Sequence, residues 1–182
     1  MLELNDVLIK GESHTLSLMA RERQITCLVG GSRWLYAMMG FEPVVAGFIS
    51  IDGEPLIPKT AQVLRRQMAF APCCLDDVGE LVRYEAPTAD DVFSLWANRQ
   101  CDHRTLEEER VLTGGTNVKQ ARLLAIAVLL KRPILLVEEP QAAMMPYLRK
   151  QAMGGRIVII SSTDDAVINA ADNVVVFETK EE

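Results

Sequence analysis

Positive charge is scarce in this chain. Lys and Arg number 19 against 25 Asp and Glu, which leaves a net charge of −6 and a pI near 5.1. That argues against direct nucleic-acid binding, which usually needs a basic patch. Long apolar runs are missing too. The longest, Leu123 to Leu130, stops at Lys131-Arg132, well short of the roughly 20 residues that span a bilayer. The first residues, MLELNDVLIKGE, carry neither a basic n-region nor a long h-region, so a secretory leader is not expected. The expected location is cytoplasmic, with room for peripheral docking at the inner face of a membrane. Cysteine is limited to Cys27, Cys73, Cys74 and Cys101, which in a cytoplasmic setting read as reduced thiols. Cys73, Cys74, Cys101 and His103 supply zinc-type donors, but a vicinal Cys-Cys is poor ligand spacing beside C-x-x-C.

Apolar residues, by contrast, make up 49% of the chain, enough to bury a core. Its 182 residues suit one domain. Leu2-Glu3-Leu4 and Thr15-Leu16-Ser17-Leu18 alternate as half-buried strands do. Ile25–Val29, Ile134–Val137 and Ile157–Ile160 are continuous apolar runs, the pattern of strands covered on both faces. Shorter strands are expected at Phe48–Ile51, Met68–Ala71 and Val174–Phe177. Helices are expected over Trp34–Met39, over Lys59–Gln67 with Thr60 as N-cap, and over Ala89–Arg99 from a start at Thr88 and Asp91. Further helices are expected over Asn117–Leu130, Ala142–Met153 with Pro146 inside, and Asp165–Ala171. Strands alternating with helices predict an α/β domain with a mainly parallel sheet. The polar middle, residues 74–116, reads as a helical insert.

The stretch ITCLVGGSRWLYAMMG, Ile25 to Gly40, raises the chemical question. A phosphate loop wraps glycine N–H groups around phosphates, sets a Lys on them and places a hydroxyl on magnesium. Here an apolar strand delivers Gly30-Gly31-Ser32, but Arg33-Trp34 follows and no lysine appears. Further landmarks come in order: Ile51-Asp52-Gly53-Glu54, then Arg65 to Pro72, then Leu112-Thr113-Gly114-Gly115. After these come Ile134 to Pro140, which holds Glu138-Glu139, and Ser161-Ser162-Thr163-Asp164.

This order resembles the ATP-binding cassette family, the nucleotide-binding subunits of ABC transporters, over nearly the whole chain. The resemblance implies a P-loop NTPase-like α/β fold: a mainly parallel sheet flanked by helices, an antiparallel N-terminal β part and a short helical insert. It also implies one domain over residues 1–182, with a shortened helical subdomain at 74–116. Gly30, Gly31, Ser32 and Arg33 stand as the remnant phosphate loop, about five residues shorter than G-x-x-x-x-G-K-S/T gives. Glu139 matches the family's catalytic base. Glu138 stands where a magnesium-binding Asp is expected. Thr113, Gly114 and Gly115 match the signature that reads a partner's nucleotide in trans.

Several family groups are replaced. Cys73 occupies the place of a Gln, and Thr163 that of a His. Met1 to Leu18 holds no aromatic to stack on adenine. The resemblance therefore implies a subunit with a degenerate site and no tightly bound ATP or magnesium. It would be non-hydrolysing and structural or regulatory, paired with another ABC-type ATP-binding subunit, a membrane permease or a second copy. It could complete a partner cassette's ATP site. Two alternatives stay open: an active ATPase using Arg33 as its phosphate cation, and a soluble ligand- or metal-binding protein on a cassette-derived fold. Plainer uses of the same residues also stay open. Trp34 would fill the volume the lost loop leaves. Glu138 and Glu139 would be solvated or ion-paired. Thr113-Gly114-Gly115 would open an ordinary glycine-rich helix. Met144 and Met145 would fill the core.

Overall fold

The computed structural model describes residues 1–73, 103–113 and 120–177. The first elements are β1 (Leu2–Ile9), β2 (Leu16–Ala20), β3 (Ile25–Val29), α1 (Ser32–Met38) and β4 (Val44–Ile51). Then come β5 (Glu54–Pro55), α2 (Ala61–Arg65), β6 (Met68–Ala71), α3 (His103–Thr113), α4 (Ala121–Leu129) and β7 (Ile134–Glu138). A 3₁₀ turn at Ala142–Met144 leads into α5 (Met145–Met153), followed by β8 (Ile157–Ser162), α6 (Asp165–Ile168) and β9 (Asn173–Val176).

Two sheets form. One has the order β2-β1-β4-β5 and is antiparallel throughout. The other has the order β6-β7-β8-β3-β9 and is parallel throughout. The expected architecture is therefore present: a parallel sheet flanked by helices, with an antiparallel N-terminal part.

The parallel strands β3, β6, β7 and β8 bury both faces, and the period of 2 sorts their side chains. Leu28, Leu136 and Ile159 face a cluster shared with α1 and the antiparallel sheet. Cys27, Leu135, Val137, Val158 and Ile160 face the cluster made with α4 and α5. Met144 and Met145 are buried in that second cluster.

Some expectations shift at their edges. β4 begins at Val44, earlier than Phe48, because pairing with β1 continues to Ile9↔Val44 through a register shift. That irregularity explains Gly47: its φ is +75°, and a Cβ there would lie 2.3 Å from the carbonyl oxygens of Asn5 and Asp6. α2 is shorter than Lys59–Gln67. Thr60 holds the N-cap position without a side-chain cap; its hydroxyl donates instead to the carbonyls of Pro55 and Ile57. Pro146 does not interrupt a helix. It falls in the first turn of α5, where a missing N–H costs nothing. β5 was not expected; two residues carry no periodic signal.

The Ala89–Arg99 helix, Cys74, Cys101, Gly114, Gly115 and most of the 74–116 insert lie outside the described residues. Within them, no helix is long and apolar enough to cross a membrane, and no cluster of three or more His, Cys, Asp or Glu is placed to hold a metal.

Candidate nucleotide site

Register sets the site. Leu28, Ser161 and Glu138 pair in one row across β3, β8 and β7, so the C-terminal ends of three parallel strands meet there. In open α/β sheets this edge is where ligands bind.

The β3–α1 turn is short. α1 begins at Ser32, directly after Gly30 and Gly31. Gly30 takes φ +66°, and its N–H donates to the Ser162 carbonyl at 3.2 Å. The Gly31 N–H donates back to the Leu28 carbonyl at 3.3 Å, and the Trp34 N–H to the Gly31 carbonyl at 3.0 Å. The Ser32 hydroxyl lies 3.0 Å from that of Ser161. Gly31 has no room for a side chain: a Cβ would lie 2.7 Å from the Phe177 ring and 2.8 Å from the Leu28 Cβ. Phe177 in turn stacks on Trp34, with ring centroids 5.6 Å apart and planes within 1°. Trp34 is buried.

Arg33 points to carboxylates. It donates to Glu12 at 2.8 Å, to both oxygens of Glu42 at 3.3 Å and to the Lys10 carbonyl at 2.7 Å. The hydrogen bond to Glu42 leads the effects that raise its pKa further, so the guanidinium stays charged at any working pH.

Glu138 is buried at the end of β7. Its carboxylate accepts from the Tyr36 hydroxyl at 3.0 and 3.1 Å and from the Cys73 N–H at 3.3 Å. The buried Gln120 amide ties this region together by donating to the Glu138 and Pro72 carbonyls. Glu139 follows in the left-handed region, φ +44°. Its N–H donates to the Ser161 carbonyl at 2.9 Å, and its carboxylate accepts the Thr163 N–H at 3.2 Å. The structure thus brings Ser32, Glu138, Glu139, Ser161 and Thr163 to one sheet edge. Cys27, one strand position below, is fully buried. Burial, with help from the Glu139 charge, pushes its thiol up to about 11, so it stays protonated and inert.

Thr113 lies within a helix rather than opening one. It is the last described residue of α3, and its hydroxyl donates to the Glu109 carbonyl at 2.9 Å, one turn back. Gly114 and Gly115 lie beyond the described residues.

Tyr36, Phe177 and Gln120 were not singled out from the sequence. Tyr36 carried a signal, a hydroxyl within the otherwise apolar run Trp34–Met39, four residues after Ser32. Phe177 carried little, one apolar residue after a final strand.

No protein-family model and no curated protein matches the sequence. Solved structures do match in shape. An ATP-binding subunit of an ABC transporter is 19% identical, with 97% of this chain and 85% of that one covered and a TM-score of 0.66. CbiO1 from Clostridium perfringens, part of the ABC transporter complex cbiONQ, is 18% identical over 96% of this chain and 83% of its own, with a TM-score of 0.65. A bacterial ABC transporter cassette solved as a dimer is 15% identical over 97% of this chain and 94% of its own, with a TM-score of 0.62. These superpositions show that the chain has the fold of the ATP-binding cassettes of ABC transporters.

Proposed function

We propose that this chain is a cassette subunit that does not hydrolyse ATP and serves a structural or regulatory role. One observation carries the reading: the β3–α1 turn is two glycines long, and both of their N–H groups are spent on protein carbonyls. Phosphoryl-transfer catalysis is almost entirely positioning and charge stabilisation, supplied by such a cradle and its lysine. Neither is here.

The surrounding residues do not fit magnesium-ATP either. Phe177 and Leu28 occupy the face of Gly31. Arg33 is committed to Glu12, Glu42 and Lys10. The carboxylate at the magnesium position, Glu138, is held by Tyr36 and Cys73. The candidate base, Glu139, is held by the Thr163 N–H. An ATPase that uses Arg33 as its phosphate cation would have to break all of these Arg33 contacts first.

The neighbours suggest the setting. CbiO1 belongs to a transporter complex and another cassette is dimeric. By analogy this chain would act at the cytoplasmic side of a membrane, beside a permease or a second ATP-binding subunit.

Calorimetric titration of the purified chain with ATP and magnesium tests the reading. No saturable heat is expected at about millimolar nucleotide, and no phosphate release. A stoichiometric isotherm accompanied by magnesium-dependent phosphate release, both lost when Arg33 is changed to Ala, would overturn it.

A further inference from the structure

The N-terminal ends of the parallel strands form the edge opposite the nucleotide site, and the turns that feed it lie side by side. The Ile134 N–H donates to the Gln67 carbonyl at 3.1 Å, the Ile157 N–H to the Pro133 carbonyl at 2.9 Å and the Arg23 N–H to the Arg156 carbonyl at 3.3 Å. In sheet order these turns precede β6, β7, β8 and β3. Neighbouring strands lie about 4.8 Å apart, so the row of turns is roughly 14 Å long.

Cations gather on this row, in a chain whose net charge is −6. Arg66 precedes β6, Lys131 precedes β7 and Arg23 precedes β3, while Lys150 borders the row from the last turn of α5. All four are exposed. None of them has a carboxylate partner among the described residues; ion pairs form instead at Arg33, Arg122 and Arg149. Two of the four carry a second mark. Arg23 and Lys131 take φ +66° and +54°, the left-handed region that suits glycine or asparagine and that other residues rarely adopt. Backbone geometry therefore does not account for a long cation at either place.

We propose that this row docks an extended acidic segment of a partner protein, whose carboxylates meet Arg66, Lys131 and Arg23 in turn. An extended chain advances about 3.3 Å per residue, so roughly four or five residues span the row. A flat anionic bilayer fits less well. Glu22 shares the turn of Arg23, and Asp52 follows Ile51, which pairs with Leu2 beside Ala20. A bilayer surface would meet these acids as well as the cations, whereas a narrow peptide follows the row. The proposal uses no residue of the nucleotide site and stands apart from the reading given there.

Fluorescence anisotropy of a labelled octaglutamate peptide, titrated with the full chain, is the test. Saturable binding is expected with a Kd of up to about 100 μM at low salt, weakened about tenfold or more at about 0.5 M salt. Arg23→Gly and Lys131→Gly are each expected to weaken the peptide about threefold or more. Neither should lower the urea midpoint, because glycine relieves the left-handed backbone. Lys10→Gln removes the same charge past Ile9, at the other end of β1, and should leave the affinity unchanged. The proposal fails if the peptide gives no saturable signal, if Arg23→Gly and Lys131→Gly leave its affinity unchanged, or if Lys10→Gln weakens it as much as they do. It also fails if phosphatidylserine vesicles or duplex DNA bind more tightly than the peptide and lose that binding in the same two variants.

Discussion

Asp172 sits where the chain leaves α6 and meets the start of β3. Its carboxylate accepts the Ile25 N–H at 2.7 Å and pairs with Arg149. Burial works against its charge, but the Ile25 N–H and Arg149 together outweigh burial and hold its pKa below the ordinary value. A depressed carboxylate stabilises the fold at pH values above its unfolded pKa, about 3.9 for Asp. That contribution is lost as pH falls through the lower, folded pKa. Asp172→Asn should therefore destabilise the protein at pH 7, and the gap from wild type should close as pH falls below about 4. Urea midpoints across that range measure it, and a gap that stays constant contradicts the assignment. The same scale shows the limit of the sequence. Arg33 was legible as the one cation near Gly30-Gly31. Its partners Glu12 and Glu42 come from a different turn and from beyond α1, and no local pattern links them to it. Pairing of that kind is set by tertiary approach.

Among elements, the β3–α1 turn is the most constrained. Gly31 has φ −95°, which any residue can adopt, so its glycine is not required by backbone freedom. Space requires it: the Phe177 ring and the Leu28 Cβ stand where a side chain would begin. Gly31→Ala should cost about 1–3 kcal/mol through overpacking. The Phe177 contact comes from the far end of a ring and can yield, whereas the Leu28 Cβ cannot. Adding Phe177→Ala should therefore make the Gly31→Ala penalty smaller without abolishing it, a coupling that a double-mutant cycle in urea reads directly. Full additivity would mean that the ring does not crowd Gly31. The parallel strands were the most legible elements, because burial on both faces leaves continuous apolar runs such as Ile134–Val137 and Ile157–Ile160. Element starts were less so. Val44 belongs to β4 only because Ile9 pairs with it, and Pro146 falls in the first turn of a helix because a 3₁₀ turn ends at Met144.

At the scale of the whole molecule, α1 joins the two sheets. Trp34, Leu35 and Met38 share one buried cluster with Leu2 and Leu4 of β1, Ile49 and Ile51 of β4, and Leu136 and Ile159 of the parallel sheet. The order of landmarks along the sequence pointed to this cassette arrangement, but nothing local in LYAMM tells that its apolar side chains touch both sheets. Leu35 is fully buried at that junction. Leu35→Ala removes side-chain volume there, and a buried Leu→Ala change costs about 2–5 kcal/mol. If the sheets depend on one core, the loss must reach both. Amide exchange should speed up by a similar factor in β1 and in β8, since the slowest amides of each would exchange through the same global opening. Separate folding of the antiparallel sheet would instead leave one set of amides protected at the wild-type level. α1 shares its buried cluster with strands of both sheets, so a cavity left at Leu35 opens into the core common to them.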